Sequence, residues 1–175
     1  MRKTNNDKEK FYVFLDFDGV LYDLEYLVMN KIKKNEKLLR FAPDSIGALN
    51  TLFEQLSTKY DPQLVISSFW RCKFPMAVNV LKNQGFNIVG VPISKTEISK
   101  APHKRGLEIK GFLDKHDNSE NFLIIDDGKF DYAQHFPPEK VVQTSILNDR
   151  LTEEKLTTAL NYYGLTPNSS SEMHM

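Results

Sequence analysis

The sequence predicts an α/β fold, a three-layer sandwich with a central, mainly parallel five-stranded sheet. Two observations lead to this fold class. Five short apolar runs alternate along the chain with longer stretches of helical character, and the runs are rich in β-branched or aromatic residues. Such runs are typical of strands buried on both faces, and strands that alternate with helices favour parallel pairing through crossover connections.

The apolar runs define the strands in chain order. They are FYVFL at 11–15, LVIS at 64–67, IVGV at 88–91, FLII at 122–125 and VVQT at 141–144. Helices are predicted over 43–60, 75–84, 106–115 and 152–163, with a further helix within 24–40. Pro43 suits a first helical turn, Gly85 suits the position after a helix end, and Thr152 suits an N-cap.

Composition places these elements in one domain. The chain has 175 residues, 41% hydrophobic, and a formal net charge of zero at pH 7, so no general attraction to nucleic acid or membranes is expected. We predict a domain over 11–166 with a small helical insert at 22–40, and flexible tails at 1–10 and 167–175.

The sequence also predicts a cytoplasmic protein without membrane association. Residues 1–10 are polar, and no run approaches the roughly 18 apolar residues of a membrane span. The single cysteine, Cys72, excludes an intramolecular disulfide, which is consistent with a reducing compartment, and we expect it in or just below the core. The sequence does not indicate a stable protein partner.

Acidic and hydroxyl residues follow three of the predicted strands. In open α/β sheets, ligands bind beyond the carboxyl ends of the strands, where the strand order reverses. The residues at these ends are Asp16, Asp18 and Gly19 after the first strand, Ser67 and Ser68 after the second, and Asp126 and Asp127 after the fourth. Four carboxylates at one edge would repel one another without a cation, and such ligands suit Mg²⁺ together with substrate phosphate.

This arrangement predicts phosphoryl transfer through a covalent intermediate. Asp16 can attack phosphorus and form an aspartyl-phosphate, which divides one difficult hydrolysis into two steps. Asp18 can donate a proton to the leaving oxygen and later take one from the attacking water. Gly19 allows the backbone to turn sharply and to approach the ligand closely.

Hydroxyl and cationic groups are expected to hold the phosphate oxygens. Ser67 or Ser68 supplies the hydroxyl, and Lys104 or Arg105 supplies the cation. We favour Arg105 because its planar guanidinium matches phosphate geometry and because it begins a predicted helix.

The three residues that follow the serines have predicted roles of their own. Arg71 is predicted as a second phosphate contact, with a surface charge beside a helix as the alternative. Phe69 and Trp70 are expected to pack beneath the site, and the alternative for Trp70 is stacking on a substrate base.

Several motifs carry a resemblance to a known family. FLDFDGVL resembles the first motif of the haloacid dehalogenase (HAD) superfamily of phosphohydrolases, LVISS its second, and IIDDGKFD its acidic fourth. The wider pattern of SSFWR, KRGLEIKGFL, FLIIDD and YYGLT is similar to the HAD domain associated with Swiss Army Knife RNA repair proteins. The resemblance covers residues 11–166 and implies a HAD-like Rossmannoid fold with phosphatase activity.

The resemblance also implies roles for particular acids. Asp16 would be the nucleophile and a metal ligand, and Asp18 would be the acid/base and bind metal through its backbone carbonyl. Asp126 and Asp127 would hold Mg²⁺. Asp131 matches a trailing acid of the fourth motif, which would act through water.

In the phosphate site, the resemblance leaves two choices. Spacing to Trp70 favours Ser68 over Ser67 in the second motif. The third motif usually carries lysine, and here Lys104 and Arg105 compete for that place.

The resemblance further implies an open site. The intervals 22–62 and 92–103 are too short for the cap domain with which many family members select substrates. A site with little or no cap would suit bulky phosphorylated substrates such as nucleic acid ends or phosphoproteins, unless an oligomer closes it. The sequence does not distinguish these from small phosphorylated molecules.

Two other functions fit parts of the pattern. The chain would be a metal-, phosphate- or partner-binding module if it kept the site but lost useful turnover. A receiver-type signalling domain also has an acidic pocket, but it places a phosphoacceptor aspartate after strand three, where GVPIS has none.

Overall fold

The computed structural model describes residues 8–30, 41–99, 103–118 and 120–165. The predicted C-terminal tail at 167–175, residues 1–7 of the predicted N-terminal tail and residues 31–40 of the predicted insert therefore lie outside the described residues.

A five-stranded parallel sheet forms the centre of the fold. Its strands are β1 (Lys10–Leu15), β2 (Asp61–Ile66), β3 (Ile93–Lys95), β4 (Phe122–Asp126) and β5 (Val141–Gln143). They lie in the order β3-β2-β1-β4-β5, and every neighbouring pair is parallel. The strand order reverses between β1 and β4, which is the place where open α/β sheets bind ligands.

Five α-helices flank the sheet in the described residues. They are α1 (Leu24–Met29), α2 (Pro43–Lys59), α3 (Phe74–Asn83), α4 (Arg105–Lys115) and α5 (Glu153–Tyr162). The side chain of Asp23 caps α1 by accepting from Tyr26 N, and Thr152 caps α5 by accepting from Lys155 N. The predicted core helices agree with these bounds to within two residues.

Alternation along the strands divides the apolar side chains between two cores. Val13 and Leu15 of β1 pack in the larger core with α2, α3 and α5, whereas Phe14 packs on the opposite face with Ile109 of α4. This confirms the three-layer α/β sandwich, because both faces of the sheet are covered.

The third strand lies later than predicted. The IVGV run at 88–91 is not a strand: Val89 is 97% exposed, and Gly90 adopts a left-handed turn with φ of +81°. Pairing begins only after this turn, where Ile93 lies opposite Leu64 of β2. The run was misassigned because β-branched residues also occur in exposed turns, where glycine sets the backbone.

The structure also bears on the expectations for Cys72 and for membrane-spanning helices. Cys72 is exposed, so the expectation of a core or subsurface position is wrong. Within the described ranges, no helix combines the length and the apolar character that a membrane crossing needs.

Candidate active site

The register of the sheet brings three polar residues to one level. Leu15 of β1 pairs with Ile66 of β2 and with Ile125 of β4, so the next residues along these strands are Asp16, Ser67 and Asp126. Leu15, Ile66 and Ile125 all point into the larger core. Because side chains alternate along a strand, the three polar residues project toward the α4 face of the sheet.

Arg105 joins two of these strand ends. It is the first residue of α4, and its Nη1 donates to Asp16 Oδ2 at 2.9 Å and to Asp126 Oδ2 at 2.6 Å. Lys104 lies one residue before the helix, and it is Arg105 whose guanidinium the fold brings to the carboxylates. These contacts favour Arg105 for the cationic role.

Asp16 and Asp126 are each held by a second donor. Asp16 Oδ1 accepts from the backbone N–H of Phe17 at 2.8 Å, and Asp126 Oδ2 accepts from the Tyr132 hydroxyl at 2.7 Å. Tyr132 is a site residue that sequence reasoning missed, since nothing in the local pattern indicated that its hydroxyl reaches back to Asp126.

The carboxylates are electrostatically crowded. Burial and the charge of Asp16 raise the pKa of Asp126 to about 6, although Arg105 and Tyr132 act in the opposite direction. Burial, followed by the charge of Asp16, also raises the pKa of Asp127. Burial disfavours the charged form of Arg105, but Asp126 and Asp16 outweigh it and raise its pKa. One guanidinium therefore does not fully offset this group of acids.

Three of the predicted metal ligands lie close enough to share a cation. Asp16, Asp126 and Asp127 each offer a carboxylate oxygen, and these oxygens lie within 4.8 Å of one another. Oxygens bound to one Mg²⁺ at about 2.1 Å are at most about 4.2 Å apart, so an adjustment of well under 1 Å would suffice. The oxygen-only donor set and the crowded charge both fit Mg²⁺.

The side chain of Asp18 has other partners. Its Oδ1 accepts from the Tyr22 hydroxyl at 2.6 Å and from Trp70 Nε1 at 3.2 Å. Burial and Asp18 together strongly raise the pKa of Tyr22, which keeps that hydroxyl protonated as a donor. The metal contact expected of Asp18 runs through its backbone carbonyl and stays a prediction. Tyr22 was not anticipated as a site residue.

The two serines differ in their contacts. Both are fully buried, and Ser68 Oγ accepts from Trp70 N at 3.3 Å, where it caps the short 3₁₀ helix Phe69–Lys73. Ser67 Oγ has no hydrogen-bond partner among the described residues. The spacing of the second motif predicts Ser68 as the phosphate ligand. The structure favours Ser67, because its hydroxyl has no partner among the described residues and because it lies at the same level of the sheet as Asp16.

Arg71 supports the serine loop from below. It is 4% exposed, its Nη1 donates to the backbone carbonyls of Ser67 and Ser68, and its Nη2 lies 2.6 Å from Glu108 Oε2. Through these contacts Arg71 supports the backbone of the serine loop. Its contact with phosphate stays a prediction. Glu108, on α4, is a partner that sequence reasoning missed.

Gly19 is required for a reason beyond a sharp turn. Its φ is +73°, and a Cβ built on it would lie 2.3 Å from Asp127 Oδ2. The glycine predicted to approach the ligand therefore also makes space for a metal-ligand candidate.

Aromatic residues next to the serines divide between core and surface. Trp70 packs against the larger core, with its ring centroid 5.7 Å from that of Phe17, as predicted. Phe69 is 74% exposed, so the expectation that it packs beneath the site is wrong. The 3₁₀ turn that Ser68 caps explains the difference, because it directs adjacent side chains apart.

A family model described as the HAD domain in Swiss Army Knife RNA repair proteins matches residues 12–156. Comparisons with curated proteins and with solved structures found no match.

Proposed function

Because the chain belongs to the family of HAD domains found in Swiss Army Knife RNA repair proteins, we propose that it is a Mg²⁺-dependent phosphohydrolase that acts through an aspartyl-phosphate on Asp16. The family and the α/β sheet support a HAD-type phosphatase in general terms. The metal, the covalent intermediate and the substrate class are our proposal.

One observation carries this proposal. The carboxylates of Asp16, Asp126 and Asp127 converge within 4.8 Å at the switch point of the sheet, and Arg105 bridges two of them. A structural ion pair would not need a third, partly exposed acid beside it. A site for a cation and a phosphate accounts for all four side chains.

In the proposed reaction, Asp16 attacks phosphorus as the bond between phosphorus and the leaving oxygen breaks. Asp18 gives its proton to that oxygen, and in the second step it takes a proton from the water that hydrolyses the aspartyl-phosphate. The products are the alcohol and inorganic phosphate, with both aspartates restored.

Other residues would hold the phosphoryl group. Arg105 and the hydroxyl of Ser67 are positioned to donate to its non-bridging oxygens, where negative charge develops. Asp16, Asp126 and Asp127 would hold Mg²⁺, which when bound offsets charge on the acids and on the phosphate.

Features beside the site support a bulky substrate such as a nucleic acid end. Phe69 presents an exposed ring directly after the serines. A cavity of about 440 Å³ has Phe130, Tyr132 and Lys129 in its wall, and Tyr132 also contacts Asp126. The exposed ring of Phe69 suits an unstacked base, and Lys129 suits a second phosphate.

The test is hydrolysis of p-nitrophenyl phosphate and of a substrate panel with Mg²⁺ present. The panel contains 3′- and 5′-phosphorylated oligonucleotides, nucleotides, sugar phosphates and a phosphopeptide. We expect Asp16→Asn to reduce phosphate release to background with an unchanged melting temperature, and EDTA to do the same to the wild type. Asp149→Asn is the matched control, because Asp149 is half-exposed and pairs with Lys155. Full activity of Asp16→Asn would refute the covalent mechanism.

The same panel addresses the second candidate function. Mg²⁺ binding by the wild type without phosphate release from any substrate would favour a binding module over an enzyme.

A further inference from the structure

The first turn of α4, which carries Arg105, is held by a segment that follows β4. This 128–135 segment contains Phe130, Asp131 and His135. The guanidinium carbon of Arg105 lies 4.3 Å from the centroid of the Phe130 ring, and the next residue, Gly106, contacts Asp131. The guanidinium of Arg105 is thus positioned by contacts with residues that are distant from it in sequence.

Helix α4 lacks a capping residue of its own. Its N-cap position is Lys104, which makes no side-chain capping hydrogen bond, whereas α1 and α5 are capped by Asp23 and Thr152. A capping side chain normally accepts from the N–H of the second or third helical residue. In α4 the second residue is Gly106.

Asp131 supplies the missing cap from another part of the chain. Its Oδ1 accepts from Gly106 N at 2.7 Å in a buried position, and its Oδ2 lies 3.2 Å from His135 Nε2. Asp131 is itself only 8% exposed. Its carboxylate also lies at the positive end of the helix dipole, which favours a negative charge.

The contact is close enough to require glycine on the helix. A Cβ on Gly106 would lie 2.8 Å from Asp131 Oδ1, 3.0 Å from His135 Cδ2 and 3.1 Å from the backbone carbon of Asp131. Alanine is the better helix former, so a glycine in the first turn is explained here by the approach of Asp131.

We propose that Asp131 is a positioning residue that caps α4 across the fold and so fixes Arg105 against Asp16 and Asp126. This rests on the proposed function, in which Arg105 holds the phosphoryl group. It differs from the role that the fourth-motif resemblance implied, action on the metal through water. Both oxygens of Asp131 have protein partners, and it does not belong to the three-acid group of the described residues.

The decisive comparison is between two substitutions of Asp131. Asp131→Asn keeps an oxygen that can accept from Gly106 N but removes the negative charge, whereas Asp131→Ala removes the cap. We expect Asp131→Asn to keep kcat within a few-fold of wild type. We expect Asp131→Ala to lower kcat by about 10- to 100-fold, because a displacement of about 1 Å at a reacting group has effects of this size. Mg²⁺ concentration at half-maximal activity should be unchanged in both.

Hydrogen exchange of the Gly106 amide gives a readout that does not depend on turnover. Asp131→Ala should exchange at least tenfold faster than wild type at this amide, and Asp131→Asn should stay close to wild type. Asp114→Ala is the matched control, because it removes an exposed acid from the same helix. If Asp131→Ala does not fold, Gly106→Ala tests the same contact, since it should lower kcat although alanine favours helices.

The outcomes separate the competing roles. Equal loss of activity in both Asp131 variants, with weaker Mg²⁺ binding by calorimetry, would overturn the proposal in favour of a metal role. Wild-type exchange and activity in Asp131→Ala would also overturn it. A wild type without turnover would count against the proposed function alone, because exchange at Gly106 still decides whether Asp131 caps α4.

Discussion

Replacing Gly19 with alanine is expected to weaken the metal site more than the fold. The new Cβ would lie 2.3 Å from Asp127 Oδ2, whereas ordinary contact begins at 3.4 Å, so the carboxylate must retreat by about 1.1 Å. Metal–ligand distances tolerate deviations of only about 0.2 Å. We therefore expect Mg²⁺ affinity to fall by at least about tenfold, a loss at the lower end of what displaced metal-site partners cause.

The backbone contribution to the loss of stability can be estimated separately from the steric overlap. Alanine at φ of +73° loses about 1–2 kcal/mol relative to glycine, and the smaller entropy of its unfolded state returns about 0.4–1 kcal/mol. The net loss of about 1 kcal/mol corresponds to a fall in melting temperature of about 2–4 °C for a chain of this length.

Gly164→Ala isolates the steric effect from the backbone effect. Gly164 has a similar φ of +66°, but nothing lies within 4 Å of its Cβ position. Both variants should lose this backbone contribution, and Gly19→Ala should lose further stability because Asp127 Cβ, 2.7 Å from the new Cβ, must also move. Only Gly19→Ala should lose Mg²⁺ affinity in isothermal titration calorimetry. Equal Mg²⁺ affinity in the two variants would refute the argument that Gly19 makes space for a metal-binding Asp127.

Three further substitutions probe the contacts around the site. Arg105→Met should destabilise the metal-free protein by about 3–5 kcal/mol, because it leaves Asp16 and Asp126 without their buried counter-charge. Added Mg²⁺ should restore part of the lost stability in thermal unfolding. An equal loss of stability with and without Mg²⁺ would contradict a site in which Arg105 and the metal share these carboxylates. Tyr132→Phe removes a hydrogen bond to a charged carboxylate and should cost about 1.5–3 kcal/mol in urea unfolding, whereas an unchanged midpoint would mean that this hydroxyl contributes nothing. Arg71→Met leaves Glu108 without its partner and removes the hydrogen bonds to the serine carbonyls, so it should destabilise the protein by about 3–5 kcal/mol and raise KM for phosphate esters. A wild-type KM in a folded variant would show that Arg71 does not support the phosphate site.

The sequence predicts the acidic part of this site well because local pattern and register act together. Asp16 and Asp126 each sit at the end of a buried apolar run, and parallel strands in register bring such ends to one edge. The same reasoning failed for β3, where Val89 and Gly90 form an exposed turn instead of continuing a strand. Strand ends are therefore predictable where burial is continuous, and less so at the edge of the sheet.

The supporting contacts could not be predicted, because each joins residues distant in sequence. Glu108 reaches Arg71 across 37 positions, and Asp131 reaches Gly106 across 25. No local pattern distinguishes Glu108 from a surface charge, and the fourth-motif resemblance that singled out Asp131 implied action through water and not a helix cap. Ser67 and Ser68 are adjacent in the sequence, and the contacts of their hydroxyls separate them: Ser68 Oγ accepts from Trp70 N, whereas Ser67 Oγ has no partner among the described residues.

Helix α4 links the two halves of the proposed phosphate site. Arg105 reaches the carboxylates from the first turn of the helix. Glu108, three residues later, pairs with Arg71, which lies beneath the serine loop. Residues three apart lie on neighbouring positions of one helix face, so a shift of α4 would move both contacts together. Since the apolar contacts of Ile109 and Leu113 fix the helix body, the capping contact of Asp131 has to set only its first turn. A substitution of Asp131 should therefore alter the handling of phosphate before it alters the metal.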